Sequence, residues 1–183
     1  PSVGIQANNL CFGETATFTP VIGTAPGNPV MTWAWDFGDG ATSSDENPTH
    51  QYAAAGPYTI TLAVTTPYCG NTGTQAVNVQ ARPTAAFTPS AILGCSPMDV
   101  SFTNTSIGAT QYAWDFGDGA TSTQASPTHT FINPGTTNIV HDVRLIASTP
   151  FGCADTVIVP ITVAPGVAAG FSHNAVPGCA PMD

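Results

Sequence analysis

The sequence predicts an all-β fold made of repeated sandwich modules, and three observations support that prediction. Short segments alternate apolar and polar residues with a period of two, which is typical of strands that face a core on one side. Glycine and proline, 18 and 17 of the 183 residues, separate those segments and argue against helices. Several motifs recur at an interval of about 84 residues, which indicates an internal repeat.

The cysteines set the period of the repeat. The interval from Cys11 to Cys95 equals the interval from Cys69 to Cys153. Cys95 and Cys179 keep the same spacing. Matched spacing of five cysteines in one chain indicates copies of a single module, each complete copy holding one cysteine near its start and one nearer its end.

A hexapeptide marks each copy. Trp-Asp-Phe-Gly-Asp-Gly occupies residues 35–40 and returns at 114–119, a few residues short of the full period. Insertions before the first motif and after the second restore the interval. We therefore expect two complete modules, residues 1–81 and 82–165, followed at 166–183 by the first strand of a further copy. On this reading the sequence is a segment of a longer array.

Aromatic and β-branched residues give the clearest strands. Met31, Trp33, Trp35 and Phe37 alternate with polar or small residues and so share the core-facing side of a predicted strand. The run 58–66 alternates in the same way. The second module repeats these signals at Tyr112, Trp114, Phe116 and residues 139–147. About seven such strands per module around one buried tryptophan is the pattern of an immunoglobulin-like sandwich.

The segments between modules are short and contain proline. Residues 79–84 connect the first module to the second, and residues 163–168 lead on to the further copy. Proline restricts the backbone to extended geometry. We therefore expect an extended, semi-rigid array rather than freely jointed modules.

The composition excludes some classes of partner. Charged residues make up 7% of the chain, and Arg82 and Arg144 are the only cations against eleven carboxylates, giving a formal net charge of −9. Nucleic-acid binding needs clustered lysine and arginine, so we expect none. Anionic lipid surfaces should repel the chain. No apolar run approaches the roughly 20 residues that a membrane-spanning helix requires, so no membrane insertion is expected.

Equal spacing also predicts how the cysteines pair. The interval from Cys11 to Cys69 is the same as the interval from Cys95 to Cys153, so we predict one disulfide within each module. Cys179 then waits for a partner further along. Such bridges place the chain in an oxidising compartment. The alternative is buried free thiols, while a zinc site is disfavoured because no Cys-x-x-Cys motif occurs.

The hexapeptide carries carboxylates that could be read as chemistry. Its second and fifth positions are aspartates, and its glycines fit a tight hairpin turn, in which aspartate bonds its own backbone. We predict a structural core-and-turn motif made of Trp35, Asp36, Gly38, Asp39 and Gly40, with Trp114, Asp115, Gly117, Asp118 and Gly119 as its second copy. A weak calcium site is the alternative, although calcium prefers six or more oxygen ligands. An acid/base pair is disfavoured because no cleft or further catalytic group accompanies the motif.

Taken together, these motifs resemble the polycystic kidney disease (PKD) domain family. The hexapeptide is followed by Pro-Thr-His at 48–50, and the second copy is followed by the same tripeptide at 127–129. The resemblance implies a β-sandwich of about 80–90 residues in an extracellular setting, often on bacterial surfaces or beside secreted hydrolases. The cysteine pair departs from the general family pattern. Long arrays of cysteine-bearing copies are similar to large cell-surface and adhesin-like proteins of Bacteroidota.

The sequence therefore predicts a non-enzymatic extracellular or cell-surface segment that needs no cofactor. Its expected role is structural, as a stalk, fibre or surface filament that serves presentation, adhesion or self-assembly. Its expected partners are neighbouring modules, like chains, and cell-surface or polysaccharide ligands. The alternative is a carbohydrate- or protein-binding accessory module of a secreted hydrolase. Trp33 would be its ligand contact if that side chain pointed outward, but its alternation with Trp35 and Phe37 favours core packing. His50 and His129 are expected to make strand-edge hydrogen bonds, and His141 and His173 to lie at the surface.

Overall fold

The computed structural model describes residues 2–8, 10–23 and 29–166. Within those ranges the chain forms fifteen β-strands and no helix, which confirms the all-β class. The predicted strand of a further copy, with Cys179 and His173, lies outside the described residues. Strands β1–β7 belong to the first module and β8–β15 to the second, and these two groups are called module 1 and module 2 below.

Module 1 is a sandwich of two antiparallel sheets. One sheet has the order β1-β2-β5 and the other the order β4-β3-β6-β7. The strands are β1 (Ser2–Asn8), β2 (Ala16–Gly23), β3 (Thr32–Asp36), β4 (Thr42–Ser43), β5 (Thr49–His50), β6 (Gly56–Thr65) and β7 (Gly70–Val79). The long hairpin β6–β7 pairs ten residues on each strand, from Gly56 opposite Val79 to Thr65 opposite Gly70.

Module 2 repeats this plan. Its sheets have the orders β13-β10-β8 and β12-β11-β14-β15-β9. The strands are β8 (Phe87–Pro89), β9 (Leu93–Cys95), β10 (Met98–Asn104), β11 (Gln111–Asp115), β12 (Thr121–Ser122), β13 (Thr128–Phe131), β14 (Ile139–Ser148) and β15 (Ala154–Ala164). Strand β9 joins the edge of the larger sheet in parallel with the end of β15. In module 1 the same place is held by a single parallel bridge between Cys11 and Gln80.

Alternation along the strands creates one apolar core in each module. In β6, Ile60, Leu62 and Val64 are buried while the residues between them are more exposed, as the period of two requires. In module 1 an aromatic cluster fills the space between the sheets, with the Phe18 ring 6.2 Å from Trp35 and 5.0 Å from Phe37. Module 2 has the equivalent cluster of Phe102, Trp114 and Phe116.

The predicted core strand around Trp35 is shorter than its alternation suggests. Trp35 and Phe37 are buried, and Trp33 is partly buried against the same core. Met31, expected on the same face, is 65% exposed. It lies just before β3, which begins at Thr32, so the alternation of that strand does not reach it.

Candidate functional site

The hexapeptide forms a hydrogen-bonded corner at the end of β3 and again at the end of β11. Asp36 Oδ1 accepts the Gly38 N–H at 2.9 Å, and Asp39 Oδ1 accepts the Ala41 N–H at 3.0 Å. The Phe37 N–H closes the turn on the Ala41 carbonyl. The corner in module 2 makes the same set of bonds through Asp115, Asp118 and Phe116.

Two glycines in each corner have backbone angles that other residues rarely adopt. Gly38 and Gly40 have φ of 83° and 94°, and Gly117 and Gly119 have 77° and 94°. The first glycine is also packed tightly, because a Cβ on Gly38 would lie 2.6 Å from the Thr59 carbonyl oxygen. The motif therefore requires glycine for conformation at both positions and for space at the first.

A histidine closes each corner from the neighbouring strand. His50 Nε2 lies 2.7 Å from Asp39 Oδ2, and its ring stacks on Phe37 with centroids 4.4 Å apart. His129 repeats both contacts with Asp118 and Phe116, at 2.6 Å and 4.2 Å. The expected strand-edge role of these histidines is thus a bond to the turn aspartate.

These contacts set the electrostatics of the corner. Partial desolvation opposes ionisation of Asp39, but the hydrogen bonds from His50 and the Ala41 N–H outweigh it and hold the pKa of the carboxyl below its usual 3.8. The pKa of Asp118 is lowered in the same way, against desolvation, by His129 and the Ala120 N–H. Burial, followed by the charge of Asp39, raises the pKa of Tyr52 to about 12, so its hydroxyl remains a donor to the Phe37 carbonyl.

The corner carboxylates are occupied by donors from the protein itself. Both oxygens of Asp39 accept hydrogen bonds, and Asp115 adds an ion pair with Arg144 at 3.0 Å. Across the described ranges, no three His, Cys, Asp or Glu side chains converge as metal ligands would. The geometry therefore gives the motif a role in fastening the turn to the adjacent strand.

The tryptophans of the motif anchor each corner to its core. Trp35 is 1% exposed, and its indole Nε1–H donates to the Asp45 carbonyl at 2.9 Å. Trp114 is 2% exposed and donates to the Gln124 carbonyl at the same distance. Each indole thus fills the sandwich and also holds the loop that follows the next short strand.

The cysteines pair differently from the sequence prediction. The structure joins Cys11 to Cys153, with Cα atoms 5.6 Å apart and a sequence separation of 142. The predicted bridges Cys11–Cys69 and Cys95–Cys153 were wrong. Cys95 carries a free thiol, and both it and Cys69 are exposed.

The geometry of the sandwich explains why a bridge within one module is excluded. Cys69 directly precedes β7, whereas Cys11 pairs with Gln80 directly after it. A strand of ten residues is about 33 Å long, and disulfides join Cα atoms about 4.4–6.8 Å apart. Cys153 and Cys95 lie at opposite ends of β15 in the same way. Each complete module therefore holds one cysteine at either end.

The Cys11–Cys153 bridge belongs to a junction between the two modules. The Arg82 guanidinium donates to the Ala154 carbonyl at 2.9 Å, and the Asp155 carboxylate accepts the Ala85 N–H at 2.8 Å. The hydrogen bonds from the Ala85 and Thr156 N–H groups lower the pKa of Asp155. Pro83, in the connecting segment, is buried. The disulfide attaches the turn before β15 to the end of module 1, and the polar contacts hold the linker and the first residues of module 2 against the start of β15.

Sequence reasoning missed this junction because the repeat period is consistent with either pairing. A bridge inside each module and a bridge to the next module repeat equally well. The distinguishing signal was the position of each cysteine relative to the strands. Cys69 and Cys153 follow Thr-Pro-aromatic sequences that form the turn between the two longest strands, while Cys11 lies beside Gln80, directly after the last strand of the module.

The paired sheets and the repeated corner define a class of protein: tandem immunoglobulin-like β-sandwich modules. The fibronectin(III)-like modules of Clostridium thermocellum CbhA share this fold, with a TM-score of 0.52 over 93% of this chain and all of that structure at 15% identity. The PKD domain family matches residues 1–81 and 80–163, and the chain belongs to that family.

Two relatives place similar modules inside larger enzymes. A microbial collagenase of Vibrio alginolyticus is 42% identical over 66 residues, which cover 36% of this chain and 8% of the collagenase. The PKD1 domain of the Vibrio cholerae metalloprotease PrtV is 31% identical over 45% of this chain and 98% of that structure, with a TM-score of 0.38. The chain thus spans less than a tenth of the collagenase. PKD domains are non-catalytic modules, and the chain is a non-catalytic segment.

Among the residues that the structure describes, no helix has the length and apolar character to cross a bilayer.

Proposed function

We propose that this chain is a structural segment of an extracellular protein, in which consecutive modules are fixed end to end as a stiff spacer. The observation that carries the proposal is the Cys11–Cys153 bridge, which crosses from one module to the next. A disulfide that only stabilised a module would close a loop within it. A disulfide across the junction instead controls how one module is oriented on its neighbour.

Mechanics support this interpretation of the junction. Two sandwiches joined by one peptide segment can pivot and twist about that segment, and relative motion of linked domains is the default. The bridge between Cys11 and Cys153 adds a second covalent connection beside the linker. Arg82 and Asp155 add polar contacts between the linker region and the start of β15. Attachment at several points restricts both pivoting and twisting, which is what a spacer that holds other parts at a distance requires.

An extracellular location follows from the same bond and from the relatives. Structural disulfides persist in oxidising environments and are rare in reducing ones. The similarity to segments of a collagenase and a metalloprotease supports a place in a secreted protein. The near absence of lysine and arginine further supports a role that does not depend on anionic ligands.

The spacer function is tested by measuring whether the modules tumble together. Backbone ¹⁵N relaxation gives a rotational correlation time for each module in the 183-residue protein. We expect equal values for both modules in the oxidised protein, and shorter, independent values in the Cys11→Ser/Cys153→Ser double variant. Cys95→Ser is the matched control, because it removes a thiol outside the bridge and should leave joint tumbling intact. Independent tumbling of the two modules in the oxidised, bridged protein would contradict the proposal.

A second candidate is an accessory module that holds a secreted hydrolase on its substrate. The collagenase and metalloprotease relatives favour this alternative. Cosedimentation with insoluble collagen and with cellulose tests it directly. Retention of the oxidised protein on either polymer, with Kd in the micromolar range, would favour the accessory role over a passive spacer.

A further inference from the structure

Cys95 occupies the far end of module 2, away from the junction with module 1. It is the last residue of β9 and lies opposite Ala164, the last residue of β15, in parallel register. The next residue, Ser96, donates its N–H to the Ala164 carbonyl at 2.9 Å. The Cys95 side chain is exposed and carries a free thiol.

Cys11 has the same setting in module 1. It forms a parallel bridge with Gln80, and the next residue, Phe12, donates its N–H to the Gln80 carbonyl at 2.8 Å. Cys95 follows Cys11, and Ala164 follows Gln80, by the same repeat interval. The two cysteines are therefore equivalent in backbone pairing as well as in sequence, and Cys11 is bonded to the module that follows it.

The partner of Cys11 shows what the equivalent position requires. Cys153 closes a turn in which the Thr149 N–H donates to the Cys153 carbonyl at 2.8 Å. Module 1 has the same turn, with the Thr66 N–H bonded to the Cys69 carbonyl at 2.8 Å. Every complete module in this chain thus presents a turn cysteine at its leading end and a second cysteine at its trailing end.

Exposed apolar side chains also lie near Cys95 at the trailing end of module 2. Ile92 and Leu93, three and two residues before Cys95 along the same edge of the sheet, are 61% and 64% exposed. Exposed aliphatic side chains beside a thiol favour a protein surface as the partner over a small polar ligand.

We propose that Cys95 is the attachment site for a further module of this family. The turn cysteine of that module would form a disulfide with Cys95, as Cys153 of module 2 does with Cys11. The inference rests on the proposed spacer function, because it adds a disulfide-linked junction of the same kind at the other end of module 2. In the bond-forming step the two thiols each lose a proton and together give up two electrons. A disulfide oxidant, such as oxidised glutathione or an oxidised dithiol oxidoreductase, accepts them and leaves as two thiols.

The test adds one module at this end of the chain. Repeating residues 83–166 directly after Gly166 places a second copy of Cys153 at the repeat interval from the first. After refolding in a glutathione redox pair, non-reducing peptide mapping by mass spectrometry should link Cys95 to the added turn cysteine and retain Cys11–Cys153. In the same chain with Cys95→Ser, the added turn cysteine should become alkylatable.

A second version of the chain controls for the unnatural linker sequence at the new junction. Pro165→Ala and Gly166→Arg rebuild the natural Ala81-Arg82 sequence before the added module. Hydrogen exchange at the added copy of β11 reports whether that module is folded. If Cys95 remains alkylatable in both versions, or links to another molecule or to a different cysteine, the proposal is overturned.

The outcomes separate this inference from the spacer function. If Cys95 is unlinked but modules 1 and 2 still tumble together, only the proposed attachment site is ruled out. If Cys95 is linked but the bridged modules tumble independently, the spacer function is ruled out and the proposed bond is established.

Discussion

Cys69 and Cys153 hold the same position in their modules but lie in different surroundings. Cys153, bonded across the junction, is 1% exposed, whereas Cys69 is exposed. Cys11 is half-buried and bonded, whereas its equivalent Cys95 is exposed. Burial at these positions follows contact with a neighbouring module. The bridge between Cys11 and Cys153 therefore belongs to the junction of the two modules, and neither core cluster includes a cysteine.

The corners of the two modules show the opposite behaviour. The backbone hydrogen bonds that the two turn aspartates accept, and the contact of the histidine that closes the turn, are repeated at nearly the same distances in both modules. The support around the corner has changed. Tyr52 donates to the Phe37 carbonyl in module 1, while Phe131 replaces that tyrosine in module 2 and His141 approaches the Gly117 carbonyl instead. The turn is fixed by its own chemistry, and its support is interchangeable.

The largest expected effect tests whether the two cores are equivalent. Trp35→Ala and Trp114→Ala each empty a large aromatic site, and we expect each to lower the free energy of unfolding of its own module by about 3–5 kcal/mol. Hydrogen exchange followed by mass spectrometry reads the two modules separately. Met31→Ala is the control, because Met31 is 65% exposed and its loss should change little. Equal losses of protection in both modules from either tryptophan variant would contradict independent cores.

The sequence was sufficient for features that depend on local chemistry. Alternating residues predicted the strands around Trp35 and the run 58–66, and two glycines with aspartates predicted the corner. Such features require only a few neighbouring residues, so a single motif contains all the information.

Features that depend on distant residues could not be predicted in this way. The pairing of Cys11 with Cys153 depends on which end of a sandwich each cysteine occupies, and residue counting does not reveal it. His141 was expected at the surface but is 8% exposed. It aligns with Tyr58, since Trp114 pairs with Leu145 as Trp35 pairs with Leu62. The interval from Tyr58 to His141 is one residue shorter than the interval between equivalent cysteines, so an alignment on the cysteines does not match the two residues.

The second-largest expected effect is the stability cost of replacing the corner glycines, which distinguishes steric crowding from backbone conformation. We expect Gly40→Ala and Gly119→Ala to cost about 1–2 kcal/mol, since only the positive φ is unfavourable and their surroundings are open. Gly38→Ala should cost about 1–3 kcal/mol more, because its Cβ would lie 2.6 Å from a backbone oxygen. Gly117→Ala should fall between them, with its nearest backbone atom at 3.0 Å. Denaturant unfolding of each variant measures the series, and equal costs at all four positions would show that packing at the corner is unimportant.

The smallest effect concerns the charge of the corner aspartates. The pKa values of Asp39 and Asp118 lie below 3.8 in the folded protein, so their contribution to stability is fully present above that pH. It is lost as the pH falls below 3.8 through the folded pKa of each carboxyl, because the folded state must then take up protons that the unfolded state already holds. Both groups lie near the surface, so each is expected to contribute only about 0.2–1 kcal/mol.

Asparagine at these positions isolates the charge, because its side-chain oxygen can still accept the Ala41 or Ala120 N–H. We expect Asp39→Asn to flatten the acid dependence of module 1 and Asp118→Asn that of module 2, each leaving the other module unchanged. Hydrogen exchange of each module between about pH 5 and pH 3, corrected for the intrinsic exchange rate, measures the slopes. An unaltered acid slope in the mutated module would show that the histidine–aspartate contact holds the corner by geometry alone, with the charge on the aspartate making no contribution.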